Sequence, residues 1–157
     1  MSWVDVVVHR KIRANEFPKS FFVRIINKVI SKIGEQKDII ELGIVLMSPA
    51  GIRALNKKWR KINTPTDVLA FPLHKNPQKR YSMISSGDIV LCPSVVRAYA
   101  RRDKISFRNR MTWSVVHGLL HLAGYDHEKS AHAAARMNKK EQEILSTLWH
   151  TNPRSAV

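Results

Sequence analysis

Cysteine and acidic residues are scarce in this sequence, and it has neither a long apolar run nor a recognisable export signal. A single cysteine, Cys92, excludes an internal disulfide and is typical of a reducing compartment. We predict that it is a small buried side chain at a strand end. No apolar stretch approaches the ~18 residues of a membrane span, and residues 1–10 lack the order of a signal peptide. We therefore expect a cytoplasmic protein without a membrane segment or a disulfide partner.

The shortage of acidic residues leaves a large positive charge. The 157 residues include 27 lysines and arginines but only 12 aspartates and glutamates, a formal net charge of +15. A surplus of this size on a small domain predicts a polyanionic partner. Because no basic, aromatic-rich amphipathic helix is evident, RNA or DNA is favoured over a membrane surface.

Three closely spaced histidines form a metal-binding pattern. His117 and His121 lie four positions apart in an apolar segment, so on an α-helix their imidazoles share one face. Gly124 is expected to end that helix at a positive φ, after which the chain can bring His127 back to the same point. Three imidazoles with a fourth position open to water or substrate are typical of catalytic zinc, whereas structural zinc usually has four protein ligands. We predict about one Zn²⁺ per chain, bound by His117, His121 and His127.

The spacing is similar to the metzincin protease signature His-Glu-x-x-His-x-x-Gly-x-x-His, with one departure. Gly118 stands where a metzincin has the glutamate that serves as general base. The pattern therefore still predicts a metal site. The missing glutamate argues against peptide hydrolysis.

The full string His-Gly-x-Leu-His-Leu-x-Gly-Tyr-Asp-His, residues 117–127, resembles the motif of the YbeY family of bacterial endoribonucleases. The likeness covers most of the chain from residue 40 onward and departs from the family at Ala70, where serine is usual. It implies a zinc-dependent, single-strand-specific endoribonuclease. Such an enzyme acts in 3′-end maturation of small-subunit ribosomal RNA and in ribosome quality control, with the ribosome or its proteins as partners. Further matches are Thr66 to Leu69, Phe71, Pro72, Gly87 to Ile89, Met137 and Glu141.

The same resemblance implies that Arg60 is a catalytic residue. A guanidinium offers a rigid fork of donors to phosphate oxygens, on which charge builds in the transition state of phosphodiester cleavage. The lysines beside it are adequately explained as the solvated end of a helix, where cations complement the helix dipole, and no role is assigned to them. These are Lys57, Lys58 and Lys61.

Several other assignments stay open. Asp126 either orients a ligand imidazole or caps a turn. A basic stripe either contacts an RNA backbone or is a solvated face, and a helix break is expected near residues 105–106. For the whole chain, the alternatives to the endoribonuclease are a metzincin-like metalloprotease and a non-catalytic RNA- or ribosome-binding factor whose zinc only stabilises the fold. The stripe consists of Arg97, Arg101, Lys104 and Arg108.

The hydrophobic pattern predicts a single α+β domain, 1–157, in the order β-α-β-α-β-β-α-α-α. A small mixed sheet of about four strands should pack against about five helices, with the metal motif on the central helix. The first strand, residues 3–8, is apolar throughout, which allows a central position, whereas Pro72 places the third strand at an edge or ends it. Residues 73–86 are predicted to form a mobile surface loop, and the tail 151–157 to fray.

Overall fold

The computed structural model describes residues 4–34, 40–73, 84 and 86–149, and within them the predicted α+β class and element order are confirmed. Most of the predicted mobile loop and the whole tail lie outside the described residues. The strands are β1 (Val4–Arg10), β2 (Ile40–Leu46), β3 (Val68–Pro72) and β4 (Gly87–Leu91). The helices are α1 (Lys19–Ile33), α2 (Pro49–Arg60), α3 (Pro93–Asp103), α4 (Phe107–Leu122) and α5 (Ala131–Leu148).

The sheet is mixed and has the strand order β1-β2-β4-β3. The pairs β1–β2 and β2–β4 are parallel, and β3–β4 is antiparallel. A central position for β1 is wrong, because among the described strands it pairs with β2 alone and lies at an edge. Only the face of β1 that carries Val6 is covered, so Val7 remains 47% exposed. The other edge is β3, where Pro72 ends the strand as expected.

Two apolar clusters lie on opposite faces of the sheet. The larger includes Ile89 and Leu91 of β4 together with side chains of α1, α3, α4 and α5. The smaller joins Val90 and Cys92 to Ile52 of α2, and Cys92 is fully buried as predicted. Helix α4 packs directly on β3 and β4. Its motif residues are therefore held against the β3 edge of the sheet.

The predicted basic stripe does not lie on one helix. Lys104 adopts a left-handed φ of 55° and ends α3, which confirms the predicted break before α4. The guanidinium of Arg97 lies 4.0 Å from the ring centroid of Phe107, and that of Arg108 lies 4.9 Å from the ring centroid of Phe21. These two arginines therefore cover aromatic rings of the fold as well as presenting charge.

Within the described residues, none of the helices has the length and apolar character that crossing a bilayer would require.

Candidate metal centre

Helix α4 places two histidines one turn apart on the same face. Ser106 begins the helix by accepting a hydrogen bond from the backbone N–H of Asn109. The rings of His117 and His121 follow with centroids 4.7 Å apart. Most of the surrounding side chains of α4 are buried, so the backbone that carries both imidazoles is fixed by packing.

The chain then turns back sharply and delivers the third histidine. Gly124 has a φ of 92°, which confirms the predicted positive φ at the helix end. Its N–H donates a hydrogen bond to the carbonyl oxygen of His121. The N–H of Tyr125 bonds to the carbonyl oxygen of Leu120, which completes a Schellman motif, and the Tyr125 side chain is buried. His127 thereby reaches a position where its ring centroid is 5.2 Å from those of both helical histidines.

The imidazole nitrogens are spaced as ligands of a small divalent ion would be. The ligand atoms of His117, His121 and His127 all lie within 4.8 Å of one another. The Nε2 atoms of the first two are 3.1 Å apart. For comparison, two nitrogens bound to a tetrahedral zinc at about 2.0–2.1 Å lie about 3.3 Å apart. The three side chains are therefore positioned to bind a metal ion.

Two neighbours fix the His117 ring. Its Nδ1 lies 2.5 Å from Oε1 of Glu141, whose side chain is only 7% exposed. The ring of Trp113 stacks on the imidazole at 4.6 Å with an interplanar angle of 22°. A carboxylate at Nδ1 favours the tautomer with its proton there, which leaves Nε2 free to coordinate. From the sequence alone, Glu141 is only a match to the family, because nothing local links it to a histidine 24 positions earlier.

The protonation state of His121 also suits coordination. Burial, together with the neighbouring His117 and His127, lowers its pKa from 6.5 to about 4. The imidazole is therefore neutral at pH 7, the form that offers a lone pair to a metal.

Arg60, at the end of α2, lines a cavity that the three histidines also line. Its Nη2 donates to Oε1 of Glu128 at 2.5 Å, and the two side chains are 40% and 59% exposed. The same carboxylate oxygen lies 3.9 Å from Nε2 of His127. The cavity encloses about 300 Å³. Its lining consists of Arg60, Val68, Leu69, Ala70, Phe71, Pro72, His117, Gly118, His121, Asp126, His127 and Glu128.

A buried polar cluster that sequence reasoning missed ties β3 to α4. Oδ2 of Asp67 accepts hydrogen bonds from the hydroxyl of Ser114 at 2.8 Å and from Nη2 of Arg110 at 3.1 Å. The carbonyl oxygen of Asp67 also accepts from the N–H of Cys92. These contacts fix the start of the strand that forms one wall of the cavity. The two side-chain contacts join residues 47 and 43 positions apart, and local sequence patterns give no sign of them.

Asp126 caps the turn between two motif histidines. Its Oδ1 accepts a hydrogen bond from the N–H of Glu128 at 2.9 Å. This corresponds to the turn-capping alternative and stabilises the loop that carries His127.

Comparison with known proteins identifies the family. Residues 8–149 match the family described as Endoribonuclease YbeY. The chain is 35% identical over 141 residues to an Endoribonuclease YbeY of Acinetobacter baumannii, covering 88% of each chain. It is 29% identical over 144 residues to one of Persephonella marina, covering 91% of this chain and 92% of the relative. The solution structure of a Thermotoga maritima protein is similar at a TM-score of 0.60 and 26% identity, covering 91% of this chain and 89% of that one. This chain therefore belongs to the Endoribonuclease YbeY family.

Proposed function

We propose that this chain is a zinc-dependent endoribonuclease that cuts single-stranded RNA during ribosomal RNA maturation. The observation that carries the proposal is the convergence of three imidazoles and Arg60 on one cavity. The net charge of +15 supports a polyanionic substrate. Relatives named Endoribonuclease YbeY support RNA as that substrate.

We assign the activity to a single cytoplasmic domain spanning residues 1–157. Its partners in this proposal are ribosomal RNA and the ribosome or its proteins, and its wider role is small-subunit RNA 3′-end maturation and ribosome quality control. Binding at the ribosome would place the enzyme beside the RNA it cuts. The basic surface suits such an environment, since it is surrounded by phosphate groups.

His117, His121 and His127 would hold the zinc, and the donor set fits, since imidazole is a preferred zinc ligand. When bound, the metal supplies Lewis-acid chemistry for cleavage of a phosphodiester. Glu141 holds the His117 ring with Nε2 turned to the site. Gly118 leaves the site without the glutamate of a metzincin. Phosphodiester cleavage tolerates that absence better than peptide hydrolysis does, because its alkoxide leaving group needs less assistance than the nitrogen of a peptide.

Arg60 would orient the substrate phosphate. Its pair with Glu128 is exposed, and such pairs contribute only about 0–1 kcal/mol. A phosphate presents two oxygens to the guanidinium fork in a charge-assisted, bidentate contact. We therefore expect the phosphate to replace Glu128 as the partner of Arg60.

The proposal is tested by metal analysis of the purified protein together with cleavage assays. The substrates are a labelled single-stranded RNA, the same RNA as a duplex, and casein, and the variants are His121→Ala and Arg60→Ala. We expect about one zinc per wild-type chain and cleavage of the single strand alone. His121→Ala should lose both zinc and cleavage, whereas Arg60→Ala should keep zinc and lose cleavage.

Two results would overturn the proposal. A zinc-loaded wild type that cuts RNA no faster than the variants would leave the metal with a stabilising role only. Cleavage of casein without cleavage of RNA would instead establish the metalloprotease alternative.

Removing the carboxylate of Glu141 is expected to weaken zinc binding about 10–100-fold, the usual effect of losing the partner of a ligand histidine. The His117 ring would lose its hydrogen-bond acceptor at Nδ1 and the fixed tautomer that follows from it. The measurement is zinc affinity of Glu141→Ala at pH 7, by competition with a chromophoric chelator.

Glu143→Ala is the matched control, because Glu143 lies on the same helix and pairs with Lys140 at the surface. It should bind zinc like the wild type. Equal zinc affinities for Glu141→Ala and the wild type would show that this carboxylate does not support the ligand.

A further inference from the structure

Trp59 is an exposed tryptophan in the last turn of α2, directly before Arg60. Its exposed fraction is 59%. The other large apolar side chains exposed among the described residues are aliphatic: Val7, Ile62 and Leu73. Tryptophan is highly buried on average, so a mostly exposed ring beside a cavity is a candidate contact for a ligand.

The Trp59 ring lies beside the wall of the metal cavity. Its centroid is 6.1 Å from that of Phe71, with an interplanar angle of 62°. Phe71 itself lines the cavity, as does Arg60, the residue next to Trp59 in the chain. A ligand that fills the cavity and extends past Phe71 therefore meets the exposed indole.

The chain segment that carries this ring is basic, although Glu128 reaches Arg60 from another part of the fold. Residues 42–66 contain five lysines and arginines and no aspartate or glutamate. All five of these basic side chains are exposed, and Nζ of Lys58 lies 5.2 Å from the Trp59 ring centroid. A phosphodiester strand is the occupant that matches such a surface, since it offers anionic groups to the cations and aromatic bases to the indole.

We propose that Trp59 is a stacking platform for an unpaired base of the RNA strand whose phosphate occupies the metal cavity. This inference rests on the proposed endoribonuclease function and adds a residue that selects for single strands. A base within a duplex already has stacking partners on both sides, whereas an unpaired base can be turned out onto an aromatic side chain. Stacking is tolerant of sequence because every base has a π-face, so Trp59 would contribute strand selectivity without base specificity.

The test measures equilibrium binding to the zinc-loaded protein by fluorescence anisotropy. The probe is a labelled single-stranded 2′-O-methyl oligonucleotide, checked on a gel to remain intact. The variants are Trp59→Ala, Trp59→Leu and Trp59→Phe. The control is Ile62→Ala, which removes another exposed apolar side chain close to the end of the same helix. Thermal unfolding of each variant checks that the fold is retained.

We expect Trp59→Ala and Trp59→Leu to weaken binding about fivefold to 150-fold, the range measured for loss of one base–aromatic stack. Trp59→Phe should keep most of the affinity, because the aromatic face remains. Ile62→Ala should bind like the wild type, and a duplex probe should not distinguish the variants from one another.

Binding of Trp59→Ala equal to that of the wild type would overturn the platform, and the exposed ring would then be a candidate contact for a protein partner. Equal loss in the leucine and phenylalanine variants would overturn it as well, as would a wild type that does not bind the strand. Failure of the proposed function gives a different result: the strand binds through Trp59, but zinc-loaded wild type cuts no RNA.

Discussion

The Arg60→Ala variant is expected to cut single-stranded RNA about 10²–10³-fold more slowly than the wild type under single-turnover conditions. Arg60 shares the cavity with the three histidines, and its hydrogen-bond partner there is the exposed carboxylate of Glu128. In the proposed mechanism, its loss removes a donor at the point where charge builds on the phosphate oxygens. Zinc content should be unchanged, because Arg60 is not one of the three metal-binding residues. Thermal stability should hardly change, because an exposed ion pair contributes little to it.

Two further variants separate the roles within this pair. Arg60→Lys keeps the charge but loses the bidentate fork, so it should recover only part of the rate. Glu128→Gln removes the carboxylate that a phosphate has to replace, and its rate should stay within about fivefold of the wild type because the pair is worth at most ~1 kcal/mol. If Arg60→Ala cleaves as fast as the wild type, Arg60 does not contact the reacting phosphate.

Restoring the metzincin glutamate with Gly118→Glu is expected to cost at least ~3 kcal/mol of unfolding free energy rather than to create a protease. A Cβ at position 118 would lie 3.0 Å from Cγ2 of Ile89 and 3.3 Å from Cγ2 of Val68. Because α4 packs on the sheet at this point, a Cβ fits only if these two side chains shift by a few tenths of an ångström. A glutamate also brings a charge to a buried position.

Urea denaturation of the metal-free proteins measures this cost without a contribution from zinc binding. Gly118→Ala adds only the methyl group and should cost about 0–2 kcal/mol, because the gain in helix propensity offsets part of the overpacking. Gly51→Glu makes the same substitution in α2, three residues after the capping Ser48, where a glutamate completes a capping box. Its Cβ would lie 3.2 Å from Sδ of Met47, which belongs to a flexible side chain, so this substitution should cost much less than Gly118→Glu. A Gly118→Glu protein as stable as the wild type would show that the α4–sheet contact is not tight.

The part of the site that the sequence predicts is the part encoded locally. His117 and His121 share a helix face because four residues are about one turn, and Gly124 is the residue that a left-handed helix end requires. Both features follow from neighbours along the chain. The return of His127 follows from them once the helix has ended.

The supporting contacts depend on tertiary structure and could not be predicted in this way. Glu141 meets His117 because α5 packs against α4, and Asp67 meets Arg110 because β3 packs against the same helix. The apolar run of β1 gave a misleading prediction for a related reason, since composition does not reveal which faces of a strand are covered. The assignment of Arg60 depended on resemblance to the family, because a basic helix end alone has several explanations.

The central claim is that a metal held by His117, His121 and His127 is required for RNA cleavage at this cavity. It is tested most directly by stripping the protein with a chelator and measuring the single-turnover cleavage rate as zinc is added back. We predict that the rate rises in proportion to bound zinc up to about one ion per chain, and that His121→Ala stays at background throughout. A stripped protein that cuts at the full rate, or a His121→Ala variant that responds to zinc like the wild type, would contradict the claim.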